Sequence, residues 1–184
     1  MSAADTIPGL VRAAAQQYGD AEAVADGERR VSFAGLADLM ASAAAGCVRR
    51  GVEPGDRVAI WAPNCNEWVI AALGIFRAGG VLVPLNTRFK GGEARYVLER
   101  ADVKLLFTVT DFLDTNYEAL LRAEPALPEL REIIDLRGPQ WGEFLARDAG
   151  AALPDSITGD DLCAILFTSG TTGRPRFATP RRRG

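Results

Sequence analysis

From residue 57 onward the chain alternates short apolar runs with amphipathic stretches, and this rhythm restricts the possible fold more than any other feature. "RVAIWAP" (57–63) precedes "NEWVIAALGIFRAGG" (66–80), and "VLVPLN" (81–86) precedes "GGEARYVLERAD" (91–102). "KLLFTVT" (104–110) and "TNYEALLRA" (115–123) follow, then "REIIDLR" (131–137) and "QWGEFLARDA" (140–149), and last "DLCAILFT" (161–168). The later short runs are apolar throughout instead of every second residue, as in strands covered on both faces; the stretches between them have helical spacing. Strands that alternate with helices are joined by crossovers. The expected class is therefore α/β, a partial doubly wound, mostly parallel sheet flanked by helices.

Upstream, Ile7, Leu10, Val11, Ala14 and Tyr18 recur at helical spacing between a Thr6 cap and a Gly19 stop. "AVADGERRVSF" (23–33) reads as a hairpin turning at Asp26-Gly27. Phe33, Leu36, Met40, Ala43 and Cys47 then mark the inner face of a second helix ending at Gly51. A chain of 184 residues is long enough for one real core, since a domain of that size buries about 70% of its unfolded surface.

Composition excludes several kinds of function. There is no histidine, which removes Ser-His and Cys-His nucleophile pairs and most zinc-site formulas. With 21 basic and 24 acidic residues the net charge is −3, so no bulk field draws nucleic acid or an acidic membrane. Five arginines fall among the last eleven residues and read as a solvated tail. Cys47, Cys65 and Cys163 are far apart, which suits structural thiols in a reducing compartment; Cys163, inside an apolar run, is expected to be buried. The N-terminus lacks the pattern of a secretory signal, and "WVIAALGIF" (68–76) is too short to span a bilayer. A cytoplasmic protein is expected.

The stretch that invites chemistry is "LFTSGTTGRPR" (166–176). It follows directly on the last apolar run, and ligands of open α/β sheets gather at the carboxyl ends of strands. Gly170 and Gly173 permit the positive φ values of a backbone anion nest. Thr168, Ser169, Thr171 and Thr172 add hydroxyl donors, while Arg174 and Arg176 add charge. The spacing fits neither a Walker A loop nor a dinucleotide G-x-G-x-x-G. On composition and position alone, a phosphate loop and a Ser/Thr/Gly linker stand level.

"ILFTSGTTGRPR" (165–176) resembles the phosphate-binding signature of the adenylate-forming superfamily, which includes acyl-CoA synthetases, luciferases and peptide-synthetase adenylation domains. The likeness extends upstream in order: "GDAEAVADGERRVSFAGLADLMASAAAG", "GVEPGDRVAIWAPNCNEWVIAALGIFRAGGVLVPLNTRFKGGEARYVL" and "DDLCAILFTSGTTGRP" all read like the start of an acyl-CoA ligase. The "VPLN" and "Y-V-L" segments resemble the branch acting on fatty and related carboxylic acids. The resemblance implies that a carboxylate attacks the α-phosphate of ATP, as Mg-ATP, giving acyl-adenylate and pyrophosphate. The thiol of CoA then displaces AMP. It further implies that Thr168, Ser169, Gly170, Thr171, Thr172 and Gly173 hold the β- and γ-phosphates, with Arg176 beside them where the family usually has lysine.

The likeness weakens at Phe177, which stands where the family has glycine. The chain therefore divides, as an expectation, into the N-terminal part of an AMP-binding domain over 1–176 and a divergent Arg-rich tail over 177–184. The family's acidic, ribose-binding and lid motifs, with its catalytic lysine, belong to a continuation not found in these residues. No catalytic residue and no metal ligand is assigned. The expected protein is a truncated ligase portion, inactive alone, whose tail reads as a shifted reading frame. The alternative is a non-catalytic nucleotide-binding or interaction module, with self-association through an uncovered sheet edge. Asp160 and Asp161 are expected to be a solvated loop pair, and Trp61, Trp68, Tyr96 and Phe107 to fill the core. Arg88 and Lys90 are candidates for the mouth of a strand-end cleft.

Overall fold

The computed structural model describes residues 5–146, 152–154, 157–169 and 175–178, and at 168–169 and 175–178 it describes the backbone alone. The chain runs α1 (Ile7–Tyr18), β1 (Glu22–Asp26), β2 (Arg29–Ser32), α2 (Phe33–Arg49), β3 (Arg57–Trp61), α3 (Asn66–Arg77) and β4 (Val81–Pro84). It continues with α4 (Gly91–Arg100), β5 (Val103–Thr108), α5 (Tyr117–Arg122), β6 (Glu132–Asp135), α6 (Pro139–Leu145), β7 (Leu166–Ser169) and β8 (Pro175–Ala178).

The helix ends follow local chemistry. Thr6 Oγ1 accepts from the Gly9 N–H at 3.1 Å to start α1, and Ser32 Oγ accepts from the Gly35 N–H at 3.1 Å to start α2. Gly19 and Gly51 stop the two helices with φ of 52° and 73°, values that a side chain would strain. The β1–β2 hairpin turns through Gly27 at φ 56°.

Four strands form one parallel sheet in the order β4-β3-β5-β6. The first crossover carries the chain from β3 to β4; the next returns it past β3 to β5. That reversal is what doubly wound means, and the expected class holds. Helices α1, α2, α3 and α6 pack as one group and α4 with α5 as another, flanking the sheet. Val58, Ile60, Trp61, Leu105, Leu106, Phe107 and Ile134 are buried in the strands, as their unbroken apolar runs predict. Trp68 and Tyr96 are half-buried against this core. The expected inner face of α2 is correct for Leu36, Met40, Ala43 and Cys47. In α1, by contrast, only Pro8 and Gly9 are buried, while Ile7, Leu10 and Tyr18 are exposed.

The last expected strand, over 161–168, needs correction. Only Leu82 and Ala164 pair across the β4 edge: the Leu82 N–H donates to Cys163 O at 2.8 Å, and Leu82 O accepts from the Ile165 N–H at 2.9 Å. The next donor in that ladder would be residue 84, a proline, which has no N–H to give. The ladder stops there, and from Leu166 the chain pairs with β8 instead. Cys163 at this thin edge is exposed, against the expectation of a buried thiol.

Candidate functional site

The Ser/Thr/Gly stretch joins β7 to β8. Across that antiparallel pair Thr168 is the Cα partner of Arg176, and Ser169 of Pro175. The structure thus brings Thr168, Ser169 and Arg176 to the base of one hairpin. Gly170, Thr171, Thr172 and Gly173, together with Arg174, lie outside the described residues. The hairpin springs from the segment bridged to β4, so it rises beside the carboxyl end of that strand.

That end of β4 carries a second, well-anchored loop. The Asn86–Lys90 segment turns through a Phe89 N–H to Asn86 O bond at 3.0 Å, and Asn86 Oδ1 accepts from the Arg88 N–H at 2.9 Å. Trp61 Nε1–H donates to Asn86 O at 3.1 Å, and the Tyr117 hydroxyl donates to Thr87 O at 3.0 Å. Glu93 Oε2 accepts from the Lys90 N–H at 2.9 Å and so caps α4. Among the described residues neither Arg88 nor Lys90 forms an ion pair; both are exposed. Two free cations on a fixed loop at a strand's carboxyl end can meet an anion without breaking an existing pair.

A wider cleft, of about 660 Å³, opens beyond the carboxyl ends of β3 and β6. Asp26, Arg29, Cys65, Glu67, Arg137 and Trp141 line it. Glu67 is buried and pairs with Arg29, while Asp26 Oδ2 accepts from the Asn66 N–H at 3.1 Å, so the β1–β2 hairpin is pinned to the start of α3. Arg137 pairs with Asp111 at 2.9 Å. Sequence reasoning missed this cleft. Glu67 sits in an apolar helical pattern, and nothing in its spacing announces a partner 38 positions away.

The two buried thiols, Cys47 and Cys65, are poor nucleophiles. Burial pushes Cys47 up to about 12, with the nearby Arg50 charge opposing only weakly. Burial also raises Cys65, and the neighbouring Glu67 adds to it. Asp161 Oδ2 accepts from the Thr158 N–H at 2.7 Å and its hydroxyl at 3.2 Å, a loop turn of the kind expected there. Among the described residues no group of three or more His, Cys, Asp or Glu is placed to hold a metal ion. A magnesium ion that travels with ATP takes most of its ligands from phosphate and water, and no step is assigned to it here. Among the same residues no helix is long and apolar enough to cross a membrane.

At the β7–β8 pair, whose connecting residues are rich in hydroxyls and glycine, likeness to known proteins becomes decisive. The profile of the AMP-binding enzyme family matches residues 11–179. The chain belongs to that family. It is 38% identical to a 3-[(3aS,4S,7aS)-7a-methyl-1,5-dioxo-octahydro-1H-inden-4-yl]propanoyl:CoA ligase of Rhodococcus jostii (strain RHA1), over 93% of this chain and 36% of the relative. It is 32% identical to the mitochondrial medium-chain acyl-CoA ligase ACSF2 of Danio rerio, over 95% of this chain and 33% of that protein. The fold superposes on the N-terminal domain of FACL13 from Mycobacterium tuberculosis, solved with an inhibitor bound, with a TM-score of 0.83. That match has 27% identity and covers 95% of this chain and 44% of the other. The chain thus spans about a third of the length of the curated relatives it matches. Acyl-CoA ligases are among its relatives, and the parallel sheet flanked by helices matches the N-terminal domain of FACL13.

Proposed function

We propose that this AMP-binding chain supplies the triphosphate-holding part of an ATP-dependent acid:CoA ligase, and that by itself it forms no acyl-adenylate. One observation carries the reading: the family match runs through the hairpin that joins β7 to β8, where Thr168, Ser169, Gly170, Thr171, Thr172, Gly173 and Arg176 fall. In the first half-reaction the substrate carboxylate oxygen bonds to the α-phosphorus of ATP, and the bond to the bridging oxygen of pyrophosphate breaks. Charge accumulates on the departing pyrophosphate, so hydroxyls, loop N–H groups and a guanidinium are the groups required there. Arg88 and Lys90 add positive potential along the same end of β4. In the second half-reaction the thiol of CoA attacks the acyl carbon, and AMP leaves.

Inactivity alone follows from the same reading. The resemblance puts the acidic motif, the ribose-gripping aspartate and the lysine-bearing lid in a continuation that follows this region in the relatives. An ATP–pyrophosphate exchange assay tests this directly. The first acid to offer is the ring-fused dione propanoate named for the Rhodococcus relative, followed by medium-chain fatty acids. Exchange at the no-protein rate is expected for every acid, alongside measurable binding of ATP. Steady exchange with any one of them would overturn the proposal of inactivity.

A second reading is a non-catalytic module that binds a nucleotide or another protein. The exposed apolar residues along the β4 edge favour it. Binding without any exchange, in the presence of a partner polypeptide as well, would leave this reading standing and remove the first.

A further inference from the structure

Lysine is rare in this chain: against nineteen arginines there are two, Lys90 and Lys104. The distinction is chemical, because a lysine amine that sheds its proton attacks an activated acyl group, whereas a guanidinium stays charged. The fold treats the two lysines in opposite ways. Lys104, half-buried in β5, pairs with Glu129 and, at 3.4 Å, with Asp102. Its bond to Glu129, with the Asp102 charge beside it, holds the ammonium above the usual lysine range. Lys90 is exposed and, among the described residues, belongs to no ion pair. It is the N-cap of α4, a helix of ten residues, so its charge stands at the positive end of that helix. Trp61 and Tyr117 fix the loop that carries it, so the amine rises from an ordered base.

We propose that Lys90 is an acyl-acceptor site, at which Nζ takes an activated acyl group of the kind the family reaction makes, and that this removes one of the two free cations beside the phosphate hairpin. The effect on the hairpin rests on the nucleotide reading above; the acyl site does not. In the step, the neutral amine attacks the carbonyl carbon of an acyl-adenylate. A C–N bond forms, and the bond from that carbon to the phosphate oxygen of AMP breaks. AMP leaves with the electron pair, and the surplus proton on nitrogen passes to solvent. With an acyl-CoA the bond broken is C–S, and CoA leaves as its thiol. Either donor leaves an uncharged amide, which ends the unfavourable meeting of a cation with the positive end of α4. The loop thus loses charge as activated acyl groups accumulate.

The test incubates the full chain with synthetic acetyl-adenylate in one arm and acetyl-CoA in the other. Peptide mass spectrometry reads the label at each lysine, and label at the α-amine is counted apart. Lys90 is expected to acylate at least tenfold faster than Lys104, and the faster arm identifies the donor. In urea, where Glu129 and Asp102 no longer hold Lys104, the two rates should converge. No label at Lys90 with either donor, equal rates in the folded chain, or a contrast that survives urea overturns the site. The acylated chain and Lys90→Gln are then compared with the unmodified chain by ATP titration calorimetry. Affinity about two- to fivefold lower is expected for both, with the difference shrinking as salt rises. Unchanged affinity overturns the effect on the hairpin. If Lys90→Arg, which offers no such amine, lost affinity on the same treatment, the effect would lie elsewhere and that part of the proposal would fall. Label at Lys90 on a chain that binds no ATP in any form keeps the acyl site and refutes the triphosphate reading instead.

Discussion

Trp61 and Tyr117 stack with ring centroids 4.5 Å apart, and each directs its polar tip to the same loop, the indole to Asn86 O and the phenol to Thr87 O. Trp61 ends β3 and Tyr117 begins α5, so the pair couples the buried centre of the sheet to the loop that carries Arg88 and Lys90. The rings bury their apolar bodies, and their single donors fix two successive carbonyls. Burial raises the Tyr117 phenol, so it remains a donor at neutral pH despite the opposing pull of its bond to Thr87.

Tyr117→Phe keeps the stack and removes one hydrogen bond, leaving the Thr87 carbonyl without its partner. The expected cost is about 1 kcal/mol in urea unfolding, with faster hydrogen exchange across 86–90. Trp61→Ala removes a fully buried ring and is expected to cost about 3–5 kcal/mol. If Tyr117→Phe left exchange in the loop untouched, the phenol would not be holding it.

Helices α2 and α3 approach at Gly74 so closely that a Cβ added there would lie 2.4 Å from Ala43 Cβ and 2.9 Å from the Ala43 carbonyl carbon. Gly74→Ala should therefore destabilise by about 1–3 kcal/mol, although alanine is the better helix former. Ala43→Gly removes the nearer clash. The double variant Ala43→Gly/Gly74→Ala is expected to recover part of the loss, so the two effects should fail to add. Additive losses in thermal or urea unfolding would show that the crossing relaxes some other way.

Much of this fold was legible because its signals are local or periodic. Thr6, Gly19 and Gly51 punctuate helices through their own backbone chemistry, and the apolar runs at β3 and β5 report burial on two faces. What stayed hidden depends on pairing. The end of the ladder after Ile165 follows from Pro84, a residue 81 positions earlier that matters only once residues 82 and 164 are neighbours. The burial of Glu67 likewise follows from Arg29 on a distant hairpin. Residue types and place in the chain single out the 168–173 stretch but leave a phosphate loop level with a linker, and sequence also marks Arg88 and Lys90 as cleft-mouth candidates. That neither is ion-paired among the described residues is visible only in the structure.

The three cysteines should separate cleanly under a thiol reagent. Cys163 is exposed and is expected to react at once in the native state, whereas Cys47 and Cys65 react only as the chain opens. The same burial gives a pH dependence. Folded Cys47 keeps its proton to about 12, against 9.0 for the ordinary thiol, so between these values the unfolded chain loses a proton that the folded chain retains. A raised folded value means that this contribution is complete below about pH 9 and is lost as pH climbs toward 12. At its full extent it amounts to about 4 kcal/mol. Urea unfolding at successive alkaline pH values should show this fall, and Cys47→Ala should flatten the slope while lowering stability at pH 7.

The loop assignment makes the sharpest demand on the protein. Thr171→Ala and Gly173→Ala are expected to weaken ATP binding at least tenfold by titration calorimetry, with far smaller changes in thermal midpoint. Arg88→Ala and Arg176→Ala should weaken it less, and their effects should shrink as salt rises, because both act through charge in a solvated setting. Comparison of ATP with AMP separates the roles: groups that hold the β- and γ-phosphates lose their influence when those phosphates are absent. Thr171→Ala should therefore cost affinity for ATP and leave AMP nearly unaffected. Equal losses for both nucleotides would place Thr171 against the nucleoside or α-phosphate, and no loss for either would make residues 168–173 a linker.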